Sequence, residues 1–236
     1  MADSPHLASR TWREVPRALL FVPLGSTEQH GPHLPATTDL DVASAVASAV
    51  LDTAGEELNA VLAPALPYGS SGEHAGFPGT LSIGQDALRA VLVELVRSAG
   101  WVARVALLNG HGGNAGPLAA AVTQLRDEGR DVGWLPCGIA GGDAHAGRTE
   151  TSLLLRLRPE AVGEERPTGT VAPIGALMGE LRARGVRTVS PSGVLGDARG
   201  ASAVEGEALL AGIVAAAVRR LRAWLPGANG LLEDRG

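Results

Sequence analysis

The stretch VPLGSTEQHGPHLPATTDLD, residues 22–41, brings Glu28, His30, His33, Asp39 and Asp41 into one short segment. Imidazoles and carboxylates are the commonest nitrogen and oxygen ligands for zinc, manganese and iron, so the chemistry these residues could do is metal chemistry. A polar loop in which Asp39 or Asp41 merely caps a following helix accounts for the acids equally well at this point. The chain has only six histidines, and where the others fall decides between the two readings. His74 follows Glu73 in SGEHAGFPGT (71–80), His111 lies in NGHGGN (109–114), and His145 precedes Glu150 in HAGRTETS (145–152).

The elements that must position these residues recur as buried strand, polar glycine-rich loop and helix. RALLFVPLGS (17–26), NAVLAPALPYG (59–69), ARVALLNG (103–110) and DVGWLPCG (131–138) read as strands. DLDVASAVASAVLDTAGEEL (39–58), GQDALRAVLVELVRSAG (84–100), AGPLAAAVTQLRDEG (115–129) and TETSLLLRLRP (149–159) read as the helices between and after them. Such alternation predicts an α/β fold with a parallel sheet flanked by helices, in a single domain spanning 1–236. ASAVEGEALLAGIVAAAVRRLRAWL (201–225) reads as a long covering helix. Residues 160–200, rich in Gly, Pro and Arg, are expected to form short strands or an oligomer contact, and 1–16 and 226–236 to be mobile ends.

Five histidines, His30, His33, His74, His111 and His145, then fall in the loops that leave the strands' C-terminal ends. In an open parallel sheet that is the ligand-binding edge. His6, outside this set, is expected to be inert. Glu28, Asp39, Glu73, Asp143 and Glu150 share the same loops, and such a polar cluster is costly to desolvate without a cation or mutual pairing. Two divalent metals bridged by a carboxylate satisfy it, and such a pair lowers the pKa of a bridging water and stabilises charge on an attacked carbonyl.

Individual positions carry competing readings. Glu28 and His30 point the same way on an extended segment; His33, after Gly31-Pro32, stands open as a ligand, as a residue behind the ligands, or as one that faces substrate. NGHGGN also fits a phosphate-binding turn at a helix start, although it lacks the lysine and spacing of a P-loop. Glu150 is equally a sensible first-turn residue of its helix. No G-x-S-x-G elbow and no serine or cysteine triad is present, which leaves activated water as the nucleophile.

Composition narrows the class. All 20 basic residues are arginine, so a Walker lysine or a Schiff-base lysine cannot be built. A formal charge of -5 offers no basic excess for nucleic acid. No apolar run is long enough to span a bilayer, no membrane or nucleic-acid partner is expected, and the N-terminus lacks a signal-peptide pattern. The single cysteine, Cys137, reads as a small buried apolar residue and suits a reducing, cytoplasmic setting.

GSTEQHGPHLPATTD, NGHGGN and HAGRTETS, in this order, resemble the creatininase family of metal-dependent amidohydrolases. With YGSSGEHAGFPGTLSIG and GVLGDARGASAVEG the likeness spans residues 19–210. The resemblance implies a three-layer α/β sandwich around a mostly parallel sheet, two divalent ions (zinc, iron or manganese) per chain, and assembly as a hexamer. It implies that Glu28, Asp39 and His111 hold one metal and His30, Asp39 and Glu150 the other, with Asp41 left to the helix start. His145 matches the proton-transfer histidine.

Two positions depart from creatininases proper. Gly113 stands where a metal-binding glutamate follows the NGH motif, and Gly141 where a tryptophan closes over a small ring. SGEHAGFPGTLSIG and PCGIAGGDAHAGRTETSLLL look most like one branch of the family, peptidases of mycofactocin systems. Those enzymes release the altered C-terminal Val-Tyr unit of a radical-modified ribosomal peptide. The expected activity is therefore amide hydrolysis on such a precursor peptide. His33, Glu73, His74, Phe77 and Gly141 are offered as pocket residues, and His145 and Glu150 as catalytic ones. The alternatives are a creatinine or formamide amidohydrolase of the same family, or a metal or phosphate-ligand binder without turnover.

Overall fold

The run LLFVPL, β1 (Leu19–Leu24), is buried along its whole length, as expected of a strand covered on both faces in a parallel sheet. In the computed structural model, which describes residues 5–139 and 141–234, four strands form one sheet. β2 (Ala60–Leu62), β1, β3 (Arg104–Asn109) and β4 (Val132–Pro136) lie in the order β2-β1-β3-β4, every pairing parallel. β2 is shorter than the 59–69 reading, because Pro64 and Pro67 have no N–H for a ladder.

Successive side chains of β1 enter opposite layers. Leu19 and Phe21 pack with Val46 and Val50 of α1 (Thr38–Ala54), Leu154 of α4 (Arg148–Leu157) and Leu221 of α7 (Ala203–Ala223). Leu20, Val22 and Leu24 pack with Leu88 and Leu92 of α2 (Gln85–Ser98) and Leu118 and Leu125 of α3 (Ala115–Asp127). The result is the three-layer sandwich. α7 starts where the Ser202 hydroxyl accepts from Glu205 N at 3.2 Å, an N-cap.

Three regions differ from expectation. Residues 160–200 build α5 (Ile174–Arg184) and α6 (Val186–Val189) around Leu181, Val186 and Leu195 rather than strands. Only isolated bridges, such as His145 with Leu195 and Thr168 with Asp197, add sheet character. The two ends are bound to the sheet instead of free. Leu62 N donates to Pro5 O at 2.9 Å, Trp134 N to Gly230 O at 3.0 Å, and Leu232 N to Trp134 O at 2.8 Å. Leu232 is buried beside Gly133, where a Cβ would lie 2.7 Å from its Cδ2. The outermost parts of both expected ends, 1–4 and 235–236, lie outside the described residues. No helix among the described residues is long and apolar enough to cross a membrane.

Two glycines bring α1 against the strand ends. A Cβ on Gly25 would lie 2.4 Å from Leu40 Cα, and one on Gly110 2.3 Å from Asp39 O. That close approach sets the first turn of α1, and with it Asp39, directly over the edge where β1 and β3 end.

Candidate metal centre

The loop after β1 delivers Glu28 and His30, the first turn of α1 Asp39, the loop after β3 His111, the loop after β4 His145, and the first turn of α4 Glu150. All but the partly exposed Glu150 are buried. Ligand atoms of Glu28, Asp39 and His111 lie within 4.8 Å of one another, as do those of His30, Asp39 and Glu150, and those of Glu28, His30 and His145. Asp39 belongs to two of these groups through opposite oxygens. Its Oδ1 is 3.2 Å from His30 Nε2, and its Oδ2 is 3.3 Å from His111 Nδ1.

Backbone carbonyls orient both imidazoles. His30 Nδ1–H donates to Glu28 O at 3.1 Å, leaving Nε2 to face Asp39 and, at 3.8 Å, Glu150 Oε2. His111 Nε2–H donates to Ser70 O at 3.0 Å, leaving Nδ1 to face Asp39. These tautomers follow from the hydrogen-bond partners, and such outer partners hold a metal-ligating imidazole in place. The asparagines of NGHGGN stitch the loops together. Asn109 Nδ2 donates to His111 O at 2.7 Å, and Asn114 Nδ2 to Gly25 O at 3.0 Å, while Asn114 Oδ1 accepts from Ser70 N at 2.8 Å.

Burial and mutual charge pull the groups of this cluster in opposite directions. Burial pushes the Glu28 carboxyl up to about 7 against the pull of His111. Burial also raises Glu150. At His30 burial opposes the charged form, but Asp39, Glu150 and Glu28 outweigh it and lift the imidazolium to about 10. His145 is held well below its ordinary value by burial and by the neighbouring His30 and His74. Glu28 Oε1 and Asp39 Oδ2 are buried and accept no hydrogen bond. Unpartnered buried carboxylate oxygens cost several kcal/mol unless a cation meets them. The donor set, mixed imidazole and carboxylate, suits divalent zinc, manganese or iron.

A cavity of about 930 Å³ opens onto this cluster. It is lined by Asp39, His111, His145 and Glu150, by Glu73, His74 and Gly113, and by Met178, Leu181 and Arg182 of α5. Of the pocket residues expected from sequence, Glu73 and His74 therefore reach it. His33, Phe77 and Gly141 do not. His33 is buried behind the site, its Nε2 2.8 Å from Thr151 Oγ1. Phe77 packs beside Leu181, Val186 and Leu195 under the Arg187 guanidinium. Gly141, at φ +84°, has no atom within 4 Å of a Cβ position.

Other acids have structural work. Asp143 accepts from the backbone N–H of Arg148 and Thr149 and so caps α4. Asp41 accepts from Arg158 Nη1 at 2.7 Å and Thr37 Oγ1 at 3.0 Å. Ala146, between His145 and Glu150, is held at φ +52°, and its N–H meets Glu150 Oε2 at 2.6 Å; strained backbone of this kind concentrates at functional sites.

Gly113 now has a physical account. A Cβ there would lie 2.4 Å from His111 Nε2 and 2.5 Å from Glu73 Oε1. The space beside the NGH histidine is filled by the Glu73 carboxylate, 3.6 Å from His111 Nε2, which comes from a different loop.

The creatininase family profile, described as creatinine amidohydrolase, matches residues 8–221. The chain belongs to the creatininase family. Within that family, the mycofactocin precursor peptide peptidase of Mycolicibacterium smegmatis is 51% identical over 218 residues, covering 91% of this chain and 88% of that protein. The creatinine amidohydrolase of Pseudomonas putida is 28% identical over 251 residues, covering 89% and 93%. A mutant creatininase of Zn-Zn type superposes with a TM-score of 0.76 at 25% identity, covering 95% of this chain and 99% of that one. The creatininase fold thus accounts for nearly the whole chain.

The residues that sequence reasoning missed are Gln29, Ser70 and the α5 residues that line the cavity. Gln29 sits inside EQH but alternates away from Glu28 and His30, and α5 carries no motif.

Proposed function

We propose that this protein is a metal-dependent peptidase that releases the modified C-terminal Val-Tyr unit of a mycofactocin precursor peptide by hydrolysing the amide before it. The observation that carries the reading is the pair of ligand groups sharing Asp39, three of whose residues, Asp39, His111 and Glu150, line a cavity of about 930 Å³. That space is at the upper end of small-molecule pockets and far exceeds what a small ring amide fills. The 51% identity to a named precursor peptide peptidase, against 28% to a creatinine amidohydrolase, supports the same substrate class.

Glu28, Asp39 and His111 would hold one divalent ion, and His30, Asp39 and Glu150 a second. When bound, such a pair supplies Lewis acidity toward the scissile carbonyl and acidifies a water. The chain's own residues do the rest. His145, kept neutral chiefly by burial, takes the proton of the attacking water at Nδ1, the nitrogen 3.6 Å from Glu28 Oε1. It returns that proton to the leaving amide nitrogen. Met178 and Leu181 of α5 give the cavity an apolar lining beside the cluster. Assembly as a homohexamer, implied by the family resemblance, belongs to the same proposal and is read by light scattering.

The test is a competition reaction followed by mass spectrometry. Protein loaded with zinc, manganese or iron meets a precursor peptide carrying the modified Val-Tyr pair, creatinine and a formamidopyrimidine, with a chelator control. Chelator-sensitive release of the C-terminal unit is the expected result. Consumption of a small amide alone overturns the substrate, and no turnover with metal bound overturns the enzyme.

A further inference from the structure

Outside the ligand set, the buried side chain of Gln29 has more polar neighbours than it has hydrogens. Gln29 Nε2 lies 2.8 Å from His74 Nδ1, 3.1 Å from His145 Nε2 and 3.1 Å from Gly193 O. Its Oε1 accepts from Gly31 N at 2.9 Å, which fixes which end of the carboxamide is which. An amide nitrogen has two hydrogens, so one of the three neighbours goes without.

The backbone decides which. His145 Nε2 is 2.8 Å from Gln29 O, a carbonyl that can only accept, so Nε2 of His145 carries hydrogen and cannot also accept from the carboxamide. The two amide hydrogens then go to His74 Nδ1 and Gly193 O, and every polar atom of Gln29 is satisfied. His74, accepting at Nδ1, carries its own hydrogen on Nε2, which faces Glu28 Oε1 at 3.2 Å, off the line of a hydrogen bond. His145, hydrogen on Nε2, presents a bare Nδ1 toward the same oxygen. Gly193 is shaped for this arrangement. At φ +80°, a Cβ there would lie 1.9 Å from Gln29 Oε1 and 2.5 Å from its Cδ.

We propose that Gln29 is a positioning residue that sets the tautomers of His74 and His145. Its carboxamide places the His74 hydrogen on Nε2, the nitrogen that faces Glu28, and its backbone carbonyl makes Nδ1 of His145 the proton-accepting nitrogen. Gln29 does not line the cavity, so it acts through its neighbours and not on substrate. The catalytic consequence rests on the peptidase reading; the tautomers do not.

The experiment is a long-range proton–nitrogen correlation spectrum of zinc-loaded protein labelled at histidine nitrogen, with resonances assigned by replacing each histidine in turn. Wild-type protein is expected to show His74 and His145 both protonated at Nε2 and bare at Nδ1. A hydrogen on Nδ1 of either one overturns the proposal, whatever the substrate. Gln29→Glu, which replaces the donating end by an acceptor, is expected to move the His74 hydrogen to Nδ1. It lowers kcat on the precursor peptide by about 10–100-fold and leaves KM and zinc content unchanged. An unaltered His74 signature, or a loss confined to zinc content, overturns the positioning role. If Gln29→Glu does not fold, Gln29→Met, similar in length and without hydrogen bonds, tests the same point: His74 should then populate both tautomers. Failure of wild-type protein to cleave the peptide, with the expected tautomers present, removes the substrate and leaves Gln29's role standing.

Discussion

Replacing Gly113 by alanine adds a single methyl group to the NGHGGN loop, at a point where the structure has no room for it. The new Cβ would sit 2.4 Å from His111 Nε2, 2.5 Å from Glu73 Oε1 and 2.5 Å from Ser70 O. Ordinary carbon contacts begin near about 3.5 Å, so the neighbours must retreat by about 1 Å. Glu73 is the end of a flexible side chain and can swing away. Ser70 O is backbone, its residue tied to Asn114 by the 2.8 Å bond from Ser70 N, and the His111 ring is held between that carbonyl and Asp39. Overpacking of this kind costs about 1–3 kcal/mol, and the loss of glycine's unfolded-state freedom returns about 0.4–1 kcal/mol. A net loss of roughly 1–2 kcal/mol lowers the Tm of a chain this size by about 2–8 °C. Displacing His111 should also weaken the ion shared with Glu28 and Asp39 by about 10–100-fold. The neighbouring Gly112→Ala is the control, because no atom lies within 4 Å of its Cβ position. It should keep its metal and melt no lower than wild type. Thermal scanning and metal analysis after dialysis read both variants. A Gly113→Ala protein indistinguishable from Gly112→Ala would refute the placement of His111, Glu73 and Ser70 around position 113.

Four further outcomes are expected. Asp39→Asn should lose both ions and Glu150→Gln only one, each folding normally; metal stoichiometry separates them, and equal loss would end the shared role of Asp39. Asp41→Asn weakens the partly exposed contacts of Asp41 with Arg158 and Thr37, so it should cost less than about 1 kcal/mol and leave metal content unchanged in the same assay. Chelation should abolish turnover and lower Tm, since the buried oxygens of Glu28 and Asp39 are left unpartnered; zinc or manganese should restore both, and a chelated protein of unchanged Tm would count against the centre. Burial pushes the Cys137 thiol up to about 12, so alkylation near pH 8 should be negligible in the folded protein and complete in denaturant, as mass spectrometry would report.

Much of the fold was legible because buried parallel strands and amphipathic helices write themselves in different periods. LLFVPL and RVALLN are apolar runs that only a doubly covered strand can use, and the helix after each glycine-rich loop follows from its spacing. The histidines in the loops after the strands were likewise readable, since topology places all those loops on one edge. What periodicity does not carry is the fate of segments held by a few long-range contacts. Residues 160–200 fold around Leu181, Val186 and Leu195, and the tail 226–232 is fixed by pairing with Trp134. Neither pattern is local.

The sequence by itself determined the chemistry available: imidazoles and carboxylates on one edge, no lysine, no nucleophile elbow, and motifs that mark the creatininase family. Only the tertiary structure decided how those residues are shared out. Glu28, His30, Asp39, His111, His145 and Glu150 come from separate loops and helix starts, and their distances depend on how closely the backbone of α1 approaches Gly25 and Gly110. The same holds for the residues left out. His33 is turned to Thr151 and Phe77 to the α5–α6 cluster, because a side chain's direction is set by what packs around it. Gln29 gains its place for that reason too: hydrogen-bond partners brought from His74, His145 and Gly193, 45 to 164 residues along the chain, exist only once the loops have met.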